Sequence, residues 1–466
     1  MEPVAMKDVA HALRAHVVGD LKWTVDCVAT DTRSMPKGNP LFVALKGDRT
    51  DGHYFVEQAA KLGAATVVVE TELPGIMIPQ LIVGDTRKAL GDLGRYYRDQ
   101  FDIAVVGVTG SVGKTSTKEM TALALGSSIR VAATIANNNN EIGVPLTLLG
   151  LDRATDAVVV EMGMRGPGQI RRLAEIARPT VGVITNIGLS HIEFLHSRDN
   201  IAEAKGELLR CIEPAGFAII NGDDEYAPKL ASMCDCPVYT FGLREGVNFR
   251  VTDLNFTPQG DTLFKINSVP VLLHATGKHH AENAAAACAV ASVMGIPLRD
   301  SAQGLRSFQT VSKRGECFRM ANGAIVYDDT YNSAPDSVRS SLQSVSVLAG
   351  VSDRRIVAVL GDMKELGAHS AEAHRFVGGL VSANNVGLLV TVGDDARIIN
   401  EAATALAPEA KYHFANAVDA AVVLKELIEP NDAVLVKGSR EMKMEKIVSA
   451  LDPGYAVPDV RFRDSA

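Results

Sequence analysis

The stretch GVTGSVGKTSTKEM, Gly107 to Met120, sets a glycine-rich turn after an apolar run and carries Gly113-Lys114-Thr115. Backbone N–H groups, a lysine and a hydroxyl in this order suit nucleotide phosphates and their magnesium ion. The spacing departs from the common phosphate loop, which has a glycine, four residues, then Gly-Lys-Ser/Thr. That pattern requires glycine at Val108, yet the glycines are Gly107 and Gly110. A strand-to-helix turn without a ligand is the plainer reading. Context favours the anion site: a buried-type strand over 103–108 runs into the turn, and a helix beginning STKEMTALAL follows. Lys114 would then neutralise β/γ-phosphate charge, and the Thr115 hydroxyl would reach Mg²⁺. Thr109, Gly110, Ser111, Val112, Gly113 and Ser116 complete the expected cradle.

Further groups arrive at the ends of other apolar runs. AVVVEMGM places Glu161 after four apolar residues, and GVITNIGLSH brings Asn186 and His191 past a second strand. The carboxyl edge of a parallel sheet is where ligands bind. Alone, each residue also reads as a helix cap or a histidine satisfied by a carbonyl; their shared position beside the loop favours a metal-facing role. Mg²⁺ prefers oxygen ligands, so Glu161 is the stronger candidate. Lys205, in IAEAKGELL, reads by itself as a solvated surface lysine.

These residues need a scaffold, and 466 residues suffice for two or three domains. Short β-branched runs alternate with helical patterns: FVALKG and ATVVVE early; DIAVVGVTG, DAVVVEMG, TVGVITNIG and FAIING in the middle; RRIVAVLGDM, VGLLVTVGDD and DAVLVKGSR late. Such runs predict parallel sheets covered on both faces, hence three α/β domains, over 1–98, 99–312 and 313–466. A net charge of −8 argues against a sequence-independent nucleic-acid binder. No apolar run approaches a membrane span and no signal layout opens the chain, so a cytoplasmic protein without membrane insertion is expected. The six cysteines lack paired C-x-x-C spacing and read as ordinary thiols.

The loop form Thr109-Gly110-x-x-Gly113-Lys114-Thr115 resembles that of the Mur ligases and folylpolyglutamate synthases, which accounts for the displaced glycines. NNNNEIGVPLTLL, EMGMRGPGQIRRL, TNIGLSHIEFLHSRDNIAEAKGE, YDDTYNSAPDSV, VLGDMKELG and VKGSREMKME resemble Mur ligases in the same order along nearly the whole chain. Ala136 departs from the family, which usually has glycine there. The resemblance implies a three-domain α/β architecture: an N-terminal UDP-binding domain, a central P-loop ATPase-like domain with a parallel sheet, and a C-terminal Rossmann-like domain. The segment ATDTRSMPKGNPLFVALKGDRTDGHYFVEQAAKLGAATVVVE resembles the uridine-nucleotide domain, which folylpolyglutamate synthases lack. The absence of Asp-Asn-Pro and the presence of Tyr331-Asn332-Ser333-Ala334-Pro335-Asp336 favour the member that adds a dipeptide over the one that adds the third peptide residue. The implied reaction joins D-alanyl-D-alanine to a UDP-N-acetylmuramoyl-tripeptide through an acyl phosphate and a tetrahedral intermediate, for peptidoglycan synthesis.

The resemblance also implies ATP, two Mg²⁺ ions and a carbamylated Lys205. Thr115 and Glu161 would hold the first ion; Glu161, His191 and carbamylated Lys205 the second. Asn137, Asn283, Arg314, Asp329 and Asn332 would contact ATP, with Arg314, Asp329 and Asn332 supplied by a closing C-terminal domain. Thr32, Arg33, Ser34, Lys46 and His53 are candidates for the UDP-sugar end, and Asn139 and Asn140 for phosphate or acyl oxygens. Four consecutive asparagines also read as a plain loop, Arg314 as a linker charge and DTRS as a turn. A monomer is expected. A nucleotide-binding regulator of the same fold, without turnover, is the reading from another class.

Overall fold

The computed structural model describes residues 1–47, 50–257 and 259–452. Among the described residues three large sheets divide the chain, and a two-stranded antiparallel pair, Val4–Ala5 with Thr24–Val25, accompanies the first. The first large sheet has five strands in the order His16–Val18, Gln80–Ile82, Thr66–Val69, Pro40–Val43, Cys27–Ala29, all parallel except the first pair. The third has six, ordered Glu316–Arg319, Ile325–Asp329, Asp432–Lys437, Arg355–Gly361, Val386–Val392, Lys411–Phe414, again parallel except for the first pair.

The central sheet has nine strands. Ala104–Thr109 lies between Ala157–Glu161 and Val181–Ile184, with Val131–Ala133 beyond the former. The chain leaves Ala104–Thr109 toward one side and later resumes on the other, so this strand sits where the winding reverses, the usual place for a ligand crevice. On the far side come Phe217–Asn221, Val238–Gly242 and Phe249–Phe256, all parallel, and then Thr262–Ile266 and Val269–Leu273, which run antiparallel. The expectation of purely parallel sheets is thus corrected at one edge of each sheet. Thr262–Ile266 alternates buried and exposed residues, the period of a strand covered on one face only, whereas Ala157–Glu161 is buried throughout.

Helix Lys114–Gly126 starts at Gly113, whose φ of +84° is a left-handed conformation that glycine adopts without strain. It packs against Lys278–Val293, in which every residue from Asn283 to Ala291 is buried. The alanines there let two helices and the sheet approach closely. Helix Thr86–Arg98 ties the first domain to the second: the Tyr97 hydroxyl donates to the Leu151 carbonyl (2.7 Å) and Arg98 Nε to that of Ala177 (3.0 Å). The third domain is tied by the Leu189 N–H, which donates to the Asp336 carboxylate (3.0 Å). All six cysteines are free thiols. Among the described residues no helix is long and apolar enough to cross a membrane.

Candidate active site

The carboxyl ends of the central strands open into a cavity of about 710 Å³, lined on the opposite side by the third domain. Ser111, Val112, Gly113, Lys114 and Ser116 line it from the loop; Asn137, Asn139, Asn140, Glu161, His191, Lys205 and Asn283 from the rest of the central domain; Arg314, Asp329 and Asn332 from the third. Residues as far apart in sequence as Ser111 and Asn332 therefore face one space.

The loop is braced from the neighbouring strand end. The Val112 N–H donates to Asn186 Oδ1 (3.0 Å), while Thr185 Oγ1 and Asn186 Nδ2 donate to the Val112 carbonyl (2.5 and 3.0 Å). Asn186 thus shapes the loop rather than facing a metal, a correction to its reading from sequence. Thr109 is likewise committed, its hydroxyl buried and donating to the Met162 carbonyl (2.8 Å). At Gly110 a β-carbon would lie 1.8 Å from Thr185 Oγ1. Gly110→Ala is therefore expected to lower stability by about 2 kcal/mol or more, since neither backbone nor brace can give way freely; urea denaturation of the purified variant measures this.

Lys114 and Lys205 converge on one acceptor. Lys114 Nζ donates to the Gly110 carbonyl at 2.8 Å and to that of Ser111 at 3.3 Å; Lys205 Nζ donates to the same Gly110 carbonyl at 2.9 Å. Lys205 is buried, so its reading as a surface lysine is overturned. Burial, and secondarily the Lys114 charge, holds its amine well below the ordinary lysine range. Burial also lowers Lys114, against the pull of Glu161.

Oxygen atoms without partners lie beside these lysines. Glu161 ends its strand fully buried; Oε1 accepts from Asn139 Nδ2 (2.7 Å), and Oε2 has no partner. Thr115 Oγ1 is also buried and unpartnered. Buried polar atoms are nearly always satisfied, so two such oxygens mark a place built for a ligand, and hard oxygens suit Mg²⁺. Asn283 Nδ2 is a third orphan, and a β-carbon on Gly113 would lie 2.8 Å from its Oδ1, which puts this amide against the loop. His191 Nδ1 lies 2.6 Å from Glu365 Oε2 of the third domain; burial lowers its pKa below the ordinary histidine value, favouring a neutral ring.

The asparagine loop divides. Asn139 holds Glu161, whereas Asn140 Oδ1 accepts the N–H groups of Ile142 and Gly143 and so caps the next helix. Ala136 has φ +52°, a left-handed conformation that explains a preference for glycine there. From the third domain, the Arg314 guanidinium stacks 3.7 Å from the Tyr331 ring centroid. Asp329 accepts from Lys437 Nζ (2.5 Å) and Ser341 Oγ (2.6 Å), and the Asn332 carbonyl accepts from Lys437 (2.9 Å).

Thr32, Arg33, Ser34, Lys46 and His53 do not line this cavity. They sit in the first domain with local partners: Thr32 with Gln58, Arg33 with Asp31, Lys46 with Glu70, and His53 with Asp51 and the Glu70 N–H. The first domain reaches the cavity through Arg87, which sequence reasoning missed; its guanidinium donates to the Lys46 carbonyl (3.0 Å). Also missed were Glu365, Lys437 and His279, the last lowered to about 4 by burial; Glu365 and Lys437 stand in the motifs VLGDMKELG and VKGSREMKME. Elsewhere, Asp362, His374 and Asp395 lie close enough to share an ion. Their atoms are otherwise engaged: His374 Nε2 accepts the Met363 N–H, Nδ1 faces the Ser370 carbonyl, and Lys364 sits on Asp362 at 2.8 Å.

Comparison with known proteins agrees with this geometry. Residues 24–98 match the model of the Mur ligase family catalytic domain, 108–291 the Mur ligase middle domain, and 313–440 the Mur ligase glutamate ligase domain. The UDP-N-acetylmuramoyl-tripeptide–D-alanyl-D-alanine ligase of Bacillus subtilis is 36% identical over 435 residues, covering 91% of this chain and 92% of the relative. A crystal structure of MurF from Acinetobacter baumannii superposes with a TM-score of 0.89 at 32% identity, covering 97% of this chain and 99% of that one. MurF from Thermotoga maritima, solved in complex with ADP, gives 0.81 at 27% identity over 92% and 97%.

Proposed function

Because the chain belongs to the Mur ligase family, we propose that it joins D-alanyl-D-alanine to the terminal carboxylate of a UDP-N-acetylmuramoyl-tripeptide at the expense of ATP. The observation that carries this reading is the convergence of Lys114, Lys205, Glu161 and His191 on one cavity roofed by a second domain. Support for the substrates comes from the relative's activity and from the length over which the two chains align.

A carboxylate is a poor acyl donor, so its activation by the γ-phosphoryl group of ATP precedes attack by the dipeptide amine. The new C–N bond forms as a tetrahedral intermediate expels phosphate. The protein's part is positioning and charge neutralisation. Lys114 and the loop amides hold the β/γ-phosphates. Thr115, with its unpartnered hydroxyl, and Glu161, with its unpartnered oxygen, are the ligands for one Mg²⁺; Glu161, His191 and Lys205 for a second. Bound Mg²⁺ offsets phosphate charge that builds up during transfer.

An ammonium does not fit a cation site, but a carbamate does. Burial beside Lys114 favours the neutral Lys205 amine. That amine attacks CO₂, loses a proton and becomes an oxygen-bearing anion. Asn137 and Asn283 face the nucleotide, Asn283 through its unpartnered amide, and Arg314, Asp329 and Asn332 approach it from the third domain. Asn139 acts mainly on Glu161, while Asn140 lies beside the acyl oxygens. Thr32, Arg33, Ser34, Lys46 and His53 serve the UDP-sugar end, linked to the cavity through Arg87. Domains over 1–98, 99–312 and 313–466 are supported by one large sheet in each. The enzyme works as a cytoplasmic monomer, a state supported by a cavity that one chain lines from all three sheets' domains.

The deciding measurement is phosphate release from ATP with the UDP-muramoyl-tripeptide, comparing D-alanyl-D-alanine, single amino acids and no amine. Release that depends on the dipeptide is expected. Release with a single amino acid and a shorter acceptor would instead indicate the ligase that adds the third residue. No turnover with any pair would leave a nucleotide-binding regulator.

A further inference from the structure

Resting on the metal site read above, we propose that Glu365 is a positioning residue through which the third domain completes that site: its carboxylate accepts the His191 Nδ1–H and presents Nε2 to the second cation. The two residues are 174 positions apart and come from different domains, yet Glu365 Oε2 and His191 Nδ1 lie 2.6 Å from each other.

The contact is built from both sides. His191 and Glu365 both hold left-handed backbone, with φ of 65° and 61°, a conformation that non-glycine residues keep only where the surroundings impose it. On the Glu365 side, Met363 and Leu366 are buried to either side, and the Lys364 N–H donates to Ser439 Oγ (2.8 Å). The Glu193 N–H donates to the Glu365 carbonyl (3.3 Å), so the backbones of the two domains also meet here. Arg165 approaches the other carboxylate oxygen, Oε1, at 3.3 Å. That leaves Oε2 for the imidazole.

Histidines that bind metals generally pass their second ring N–H to a carboxylate, which fixes tautomer and ring plane. His191 has this arrangement already, beside Lys205 and the unpartnered Glu161 oxygen in one cavity. An ordinary interdomain ion pair would not need a ring facing that cavity. The consequence is that docking of the third domain sets the geometry of a ligand that belongs to the central domain. The second cation is then held fully only when the two domains are together.

The test uses the full chain with a non-hydrolysable ATP analogue and Mn²⁺, counting ions and affinities by electron paramagnetic resonance. Two ions are expected for the wild type. Glu365→Ala should weaken the second by about 10–100-fold, the range for losing a partner behind a metal ligand, with the first unchanged. Glu365→Gln, whose amide oxygen still accepts the N–H, should stay close to wild type, and urea melting without Mn²⁺ should place all three proteins together. Wild-type affinity for both ions in Glu365→Ala overturns the proposal, as does equal weakening of both ions. If the wild type itself takes up one ion, the second-cation reading of His191 fails first and the role of Glu365 with it.

Discussion

Lys205→Ala is expected to lower kcat by about 10²–10³-fold, the scale of losing one preorganised electrostatic group in a closed site. The protein should still fold, because the lysine is buried at a cost: its amine shares the Gly110 carbonyl with Lys114 and has no carboxylate on it. Acetate or another short carboxylate, filling the space with an anionic oxygen, should restore part of the rate in the variant and none in the wild type. Wild type supplied with ¹³C-bicarbonate should show a carbamate carbonyl resonance that Lys205→Ala lacks. A variant that turns over normally would remove Lys205 from the mechanism. Stability gives an independent reading. In CO₂-free buffer the unfolded chain keeps this lysine protonated up to about its ordinary 10.5, while the folded chain sheds the proton well below that. Between the two values the unfolded state binds more protons, so stability should rise with pH across that interval. Lys205→Met should lack that part of the rise and melt higher than CO₂-free wild type at neutral pH.

The position of Lys205 shows what a single sequence conveys and where it stops. In helix Arg198–Arg210 the buried stripe includes Ile201, Leu208 and Leu209, and Lys205 falls on it at helical spacing. A lysine on an apolar stripe is therefore visible in the sequence, but reading it as solvated follows residue type rather than period. The loop and the ends of Ala157–Glu161 and Val181–Ile184 are legible because strand, turn and helix succeed one another locally. Glu365 is not: it stands in a recognisable motif, VLGDMKELG, but its partner comes from another domain, and no local pattern encodes a contact between surfaces. The antiparallel edges escape for a related reason. Thr262–Ile266 carries the alternation of a half-covered strand, yet only its neighbours decide which way it pairs. Thr32 and its companions illustrate the opposite limit, since polar residues clustered in sequence lie away from the main cavity and, among the described residues, Arg87 alone of the first domain lines it.

Lys114→Ala should produce a loss of similar size by a different route. In the free protein its ammonium is folded back on the Gly110 and Ser111 carbonyls, weak partners that phosphate oxygens displace readily. A cation about 4 Å from a phosphate charge contributes about 4 kcal/mol at an effective dielectric near 20, and part of this is present already in the ground state. The expected pattern is thus a fall in kcat/KM of about 10²–10³-fold, divided between a higher KM for ATP and a lower kcat. Lys205→Ala should differ by acting mainly on kcat, because a carbamate on Lys205, as proposed above, would face the reacting end. Lys114→Arg should rescue little. The slot is made by Gly110 and by Gly113, where a single added carbon would already meet Thr185 or Asn283, and a planar guanidinium cannot replace a compact ammonium there. Steady-state kinetics with ATP varied at saturating dipeptide would separate these patterns. If Lys114→Arg retained wild-type kcat and KM, a diffuse positive charge would suffice, and the tight loop would have to be explained by packing alone.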